Sequence, residues 1–212
     1  MGALSGGTTV KRLVADGPPV DGFRTRYVEA LEAYAFRPLT VESEEDRATG
    51  WATVAHPLDT RFDADKVLFN EYLCVTYRVD TVRVPSSTLK LYQREAELQW
   101  LAENHRESMP RNQRKILFEE VRRELRGKTL PTIKAIDLVW NTVSGQVWVW
   151  TQNGKLIEEI DELFQKTFDR GLLPSDPFSV GERGLDPALV PALEQVEPAF
   201  LIDEATWRGG GR

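Results

Sequence analysis

The chain has 212 residues and a net charge of −6, with 41% hydrophobic, 28% charged and 9% aromatic residues. These are the proportions of a globular fold with a core of ordinary size, and they exclude a disordered or fibrous chain. The lone Cys74 excludes an internal disulfide, no apolar run approaches the roughly 18 residues that span a bilayer, and the acidic total speaks against nucleic-acid coating by overall charge.

Residues 1–9 are small and polar, read as a flexible N-terminus rather than a secretory signal, so a cytoplasmic location is expected. A myristoylation signal wants Ser or Thr at position six and finds Gly6. Residues 8–15 alternate as a strand, and Asp16-Gly17-Pro18-Pro19 supplies turn chemistry. Asp21 then reads as the cap of a helix whose apolar positions Phe23, Tyr27, Val28, Leu31 and Tyr34 recur at helical spacing, with Pro38 beyond its end. Residues 42–47 are acidic without an apolar period and read as a solvated loop, followed by a short strand at 50–54. Residues 71–84 carry Tyr72, Val75, Tyr77, Val79, Val82 and Val84 with no Gly or Pro, which predicts a strand in the middle of a sheet.

Pro85-Ser86-Ser87 reads as a stop followed by a helix cap, with Leu91, Leu98 and Leu101 in the charged background of a helix over 89–104. A second helix is predicted over 110–126, ended by Gly127, so the pair forms a charged helical hairpin. Ile136, Leu138 and Trp140 mark one side of a strand, residues 141–145 a turn, and Val147, Val149 and Thr151 the return strand of a β-hairpin. Asn153-Gly154 opens a helix carrying Leu156, Ile157, Ile160, Leu163, Phe164 and Phe168, closed at Arg170-Gly171. After Leu173 the chain turns rich in Pro and Gly, with at most a short helix at 189–196, so residues 179–212 read as a loosely ordered tail. Hairpin-length links outnumber crossovers, which predicts an α+β fold over 10–178: a mostly antiparallel sheet with the charged hairpin and flanking helices.

The charge is segregated along this order of elements. Residues 78–134 hold 13 Lys and Arg against 8 Asp and Glu, leaving 14 against 25 elsewhere. On a wheel of 100° per residue, Arg111, Lys115, Arg122 and Arg126 fall within about 60° of one another, beside an apolar face of Leu117, Phe118, Val121 and Leu125. One helix can therefore pack inward and present cations along its flank, which Arg114, Arg123 and Lys128 widen. Arginine's planar fork binds phosphate oxygens in pairs, so such a row suits a DNA backbone. The same helix also holds Glu119, Glu120 and Glu124 at spacings of three and four, which read equally as the ion pairs of a solvated surface.

Other candidates have weaker patterns. Trp148 and Trp150, near Trp140, can stack on unpaired bases if exposed, although tryptophans on a hairpin beside an amphipathic helix more often pack the core. Asp137 on a strand and Glu158, Glu159, Asp161 and Glu162 on the next helix could imitate the converging acids of a metal-dependent nuclease. Acids in a first helical turn also favour the helix dipole without any metal. His56 and His105 have no second ligand at metal-site spacing, and there is no phosphate-cradling loop, nucleophile elbow or dinucleotide fingerprint. No cofactor and no catalytic residue is expected.

Several short stretches resemble the N-terminal half of the recombination-associated protein RdgC family. They are Val10-Lys11-Arg12-Leu13, Ala35-Phe36-Arg37-Pro38 with Gly50-Trp51, and Val82-Arg83-Val84-Pro85. The basic helix at 111–124 with Leu130-Pro131, the hairpin at 136–150 and Gly171-Leu172-Leu173-Pro174 continue the series in the same order. The resemblance covers about residues 10–178. It implies a nucleoid-associated homodimer that encircles duplex DNA through backbone contacts without a cofactor and competes with the RecA recombinase. Its phosphate contacts fall on Arg111, Arg114, Lys115, Arg122, Arg123, Arg126 and Lys128. Family members are commonly longer by a second half, which puts ring closure in question, and Thr132, Ile133 and Lys134 stand where the family places an aromatic. The rival readings are the metal-dependent nuclease around Asp137 and a protein interaction module that binds no DNA.

Overall fold

The computed structural model describes residues 2–4, 9–17, 22–40 and 45–195. The turn at Pro18-Pro19, the cap at Asp21, the acids at 42–44 and the end of the tail at 196–212 lie outside the described residues. Two compact units divide the chain, Met1–Leu173 and Pro174–Arg212, where the sequence suggested a boundary at 178.

The first unit is built on a sheet. Its strands are β1 (Lys11–Ala15), β2 (Arg47–Thr53), β3 (Leu68–Phe69), β4 (Tyr72–Thr81), β5 (Thr132–Asn141), β6 (Gln146–Val149) and β7 (Leu172–Pro174). They are ordered β2-β4-β5-β6-β1-β7, with β3 paired to β4. The pairs β2/β4, β3/β4, β4/β5, β5/β6 and β1/β6 are all antiparallel. This is the α+β fold with a mostly antiparallel sheet expected from the sequence, and β4 lies inside it between β2 and β5. Alternation decides the faces: Leu73, Val75, Tyr77 and Val79 of β4 and Ile136, Leu138 and Trp140 of β5 enter one core.

That core is closed by α1 (Phe23–Ala33) and α5 (Gly154–Phe168). Tyr27 and Leu31 of α1 meet Leu156, Ile160, Phe164 and Phe168 of α5 there. Trp140 lies at its centre, 1% exposed, with ring centroids 5.1 to 5.5 Å from Tyr27, Phe164 and Phe168. The packing role anticipated for this tryptophan is thus the observed one. At the β2 edge, a Cβ on Gly50 would lie 2.4 Å from the Phe36 Cα, so only glycine lets the chain at 35–36 cross the strand so closely.

The charged hairpin consists of α3 (Ser86–Glu103) and α4 (Arg111–Lys128), packed chiefly on each other. Its ends differ from the sequence expectation. Neither Ser86 nor Ser87 caps α3, because Pro85 holds the N-cap position and its carbonyl accepts from Leu89 N–H at 3.0 Å. Gly127 does not end α4: the helix runs on to Lys128, and the Thr129 hydroxyl donates to the Leu125 carbonyl at 2.7 Å, satisfying one of the orphan acceptors in place of a left-handed glycine. Leu91 and Leu98 are 72% and 51% exposed. Likewise α5 is closed by Asp169 with φ +56° rather than by Gly171, while Asn153 caps its start by accepting from Leu156 N–H. The four-residue α2 (Ala64–Val67) and β3 are too short to leave a periodic signal, and β2 begins three residues earlier than the predicted strand, at Arg47.

The second unit holds α6 (Pro177–Gly184), a 3-10 turn (Pro187–Leu189) and α7 (Val190–Glu194), more helix than the sequence suggested. Asp176 caps α6 by accepting from Ser179 N–H, and Asp186 accepts from Ala188 N–H at the turn. Among the described residues no helix is long and apolar enough to cross a membrane.

Candidate nucleic-acid interface

The basic helix forms as its pattern demands. Val121 and Leu125 are buried, Leu117 and Phe118 are half-buried, and the adjoining flank carries the cations. At 1.5 Å of rise per residue, Lys115 lies about 6 Å along the axis from Arg111, and Arg122 about 10 Å further. These steps are comparable with the spacing of backbone phosphates.

The structure divides the seven candidate residues into two groups. Arg111, Lys115 and Arg123 are exposed and make no ion pair or hydrogen bond with a described residue. Arg111 and Lys115 line a shallow groove with Gln93, Asn112, Arg114 and Phe118 at the start of α4. The other four are engaged. Arg114 donates to Glu97 of α3 at 2.8 Å, which ties the hairpin together. Lys128 pairs with Glu124 one turn earlier, a bond that raises the pKa of its ammonium. Arg122 donates to the Asp46 carboxylate at 2.8 Å. Arg126, with only 11% of its side chain exposed, donates to the Glu45 carbonyl and holds Nε 3.3 Å from Asp46.

Asp46 and Glu45 were read from the sequence as part of a solvated loop. They do lie in an exposed loop, and they also meet the basic helix, Glu45 through its carbonyl and Asp46 through its carboxylate; for Asp46 the signal that could have shown this is charge, in the run Glu44-Glu45-Asp46, the densest acidic stretch ahead of the cationic segment.

The carboxylates around Asp137 do not come together. Ile136 and Leu138 face the core that α5 closes, so Asp137 between them points to the opposite face of β5, away from Glu158, Glu159, Asp161 and Glu162. Its two oxygens accept from the Thr76 hydroxyl at 2.6 Å and from Ala3 N–H at 2.7 Å. The nuclease constellation considered from sequence is therefore not assembled, and no group of three or more His, Cys, Asp or Glu among the described residues is placed to hold a metal ion. Trp148 and Trp150 are half-buried, Trp148 lying opposite Arg12 of β1 on that second face.

Fold and flank together describe an α+β protein that carries a cationic helical hairpin. A scan against protein-family models and a search of curated proteins both found no match to this chain.

Proposed function

We propose that this protein binds duplex DNA through its phosphate backbone, without reading sequence and without cleaving the strand. The observation that carries this reading is the set of Arg111, Lys115 and Arg123, exposed on one long helix and unpartnered among the described residues. Cations left unpaired on an acidic molecule are free to exchange their counterions for phosphate, the main source of affinity in sequence-tolerant binding. The ordered stretches that resemble the RdgC family support a reading as a cytoplasmic, nucleoid-associated homodimer that modulates recombination by occupying DNA in competition with RecA.

Fluorescence anisotropy with labelled duplexes of several sequences, titrated at a series of salt concentrations, tests the proposal. Replacing Arg111, Lys115 and Arg123 together by alanine is expected to weaken every duplex alike and to lower the salt slope by about two to three, at roughly 0.9 per phosphate contact. Unchanged affinity in the triple variant, or no binding at low salt, overturns it.

A second reading has its own observation. Leu91, Leu98 and Ile116 of the hairpin are 72%, 51% and 51% exposed, apolar surface of the kind that marks interaction sites when contiguous, and this favours a protein interaction module. The low-salt titration separates the two, because that module leaves DNA unbound.

A further inference from the structure

Two arginines of α4 share one carboxylate from a distant part of the chain. Asp46 Oδ2 accepts from Arg122 Nη2 at 2.8 Å, while Oδ1 lies 3.3 Å from Arg126 Nε. Each carboxylate oxygen thus takes one guanidinium. A backbone phosphodiester offers the same set of acceptors, two non-bridging oxygens sharing one negative charge, and arginine forks bind it in the same manner.

Asp46 is placed for this by the sheet. Its own carbonyl accepts from Val82 N–H at 2.9 Å, which fixes its main chain beside the end of β4. The side chain remains accessible on its Arg122 side, with Asp46 and Arg122 each 44% exposed, while Arg126 is 11% exposed and also donates to the Glu45 carbonyl. An anion arriving from solvent can therefore reach the pair, and the carboxylate can swing away by side-chain rotation while the backbone stays bonded.

From this arrangement we infer that Asp46 is an autoinhibitory phosphate mimic: it sits on Arg122 in front of the less exposed Arg126, and a DNA backbone must displace it to engage Arg122. This inference rests on the DNA-binding reading and adds its regulation. Contact begins at Arg111 and Lys115, which are unoccupied among the described residues, and extends along α4 only where successive phosphates outcompete the built-in carboxylate. A polyanion can do so; a single phosphate, without the first contacts, gains nothing over Asp46. Exposed pairs of this kind are weak enough to be displaced, so the contact tempers affinity without abolishing it.

Asp46→Asn keeps the shape and removes the charge. In duplex titrations at low salt the variant is expected to bind about three- to fivefold more tightly than wild type, the range an exposed ion pair can supply. Its salt slope should steepen by about one, because the displaced carboxylate no longer takes up a cation when DNA binds. Glu158→Gln, an equal charge change on exposed α5 surface, is the control and should leave affinity unchanged. If wild type binds and Asp46→Asn binds no better, or if both variants gain equally, the mimic is overturned while the DNA reading stands. If neither wild type nor Asp46→Asn binds duplex, both fall. Should Asp46→Asn melt below the working temperature, Asp46→Ser takes its place, with the same outcomes.

Discussion

The Trp51 indole N–H donates to the Thr167 hydroxyl at 2.8 Å, joining β2 to the last turn of α5 across 116 residues of chain. Trp51 is fully buried and Thr167 is 8% exposed, so no solvent competes for the bond. The hydroxyl in turn donates to the Leu163 carbonyl at 2.7 Å and so serves as acceptor and donor at once.

Thr167→Val keeps the shape of the side chain and removes both bonds, leaving a buried indole donor without a partner. An unsatisfied buried donor costs about 1 to 3 kcal/mol, and in a chain of this size about 1 kcal/mol moves the melting midpoint by roughly 2 to 4 °C. A melting temperature lowered by about 3 to 10 °C, with an unchanged far-ultraviolet spectrum, is the expected result. A midpoint within one degree of wild type would show that the bond contributes nothing net.

Cys74 gives a pH dependence with a definite sign. Burial, reinforced by the nearby Asp137 charge, pushes its thiol up to about 11 from an ordinary value of 9.0. The folded chain therefore holds this proton more tightly than the unfolded chain does. The contribution to stability is fully present below pH 9 and is lost as pH rises towards 11. Urea midpoints at pH 7, 9 and 10.5 should fall more steeply above pH 9 in wild type than in Cys74→Ala. Equal slopes would place the thiol in an ordinary aqueous setting. For the same reason Cys74 should react slowly with iodoacetamide at pH 8 until the protein is unfolded.

The parts of the fold legible in the sequence are those in which an apolar side-chain period matches entry into the core. Tyr72 to Thr81 and Ile136 to Trp140 alternate because one face of each strand enters the core, and Leu156, Ile160 and Phe164 recur at helical spacing because α5 lies on that face. The helix ends were less legible. Their orphan groups can be satisfied by Thr129 or Asp169 as well as by a glycine, and the choice depends on neighbours far away in sequence. The basic flank was readable from charge spacing within one helix. Its partners were not: Asp46 and Glu97 lie 76 and 17 residues from the arginines they meet, and their acidity suits open solvent equally well. The sequence charge count also overstates the cations on offer, since Arg78 opens the basic segment yet is only 7% exposed.

Arg78 holds a buried ion pair whose loss carries a large stability effect. Its Nε and Nη2 donate to the two Asp80 oxygens at 2.8 and 2.6 Å, and Nη1 donates to the Pro57 carbonyl at 3.2 Å. The guanidinium lies 4.0 Å from the centroid of the Phe36 ring, and the two charged side chains are 9% and 3% exposed. Arg78→Met preserves much of the stem but strands a buried carboxylate, an imbalance that costs about 3 to 5 kcal/mol when one member of such a pair is removed. Removing both charges avoids that penalty, because apolar replacements of similar volume can be neutral or better. In urea unfolding, Arg78→Met alone should therefore lose about 3 kcal/mol or more, and Arg78→Met with Asp80→Leu should recover most of the loss. Additive losses in the double variant would mean that the two side chains act separately, through packing on Phe36 and β4, rather than as a pair. The proposed DNA binding would not draw on this residue, since a guanidinium held between Asp80 and Phe36 has no face to offer a phosphate.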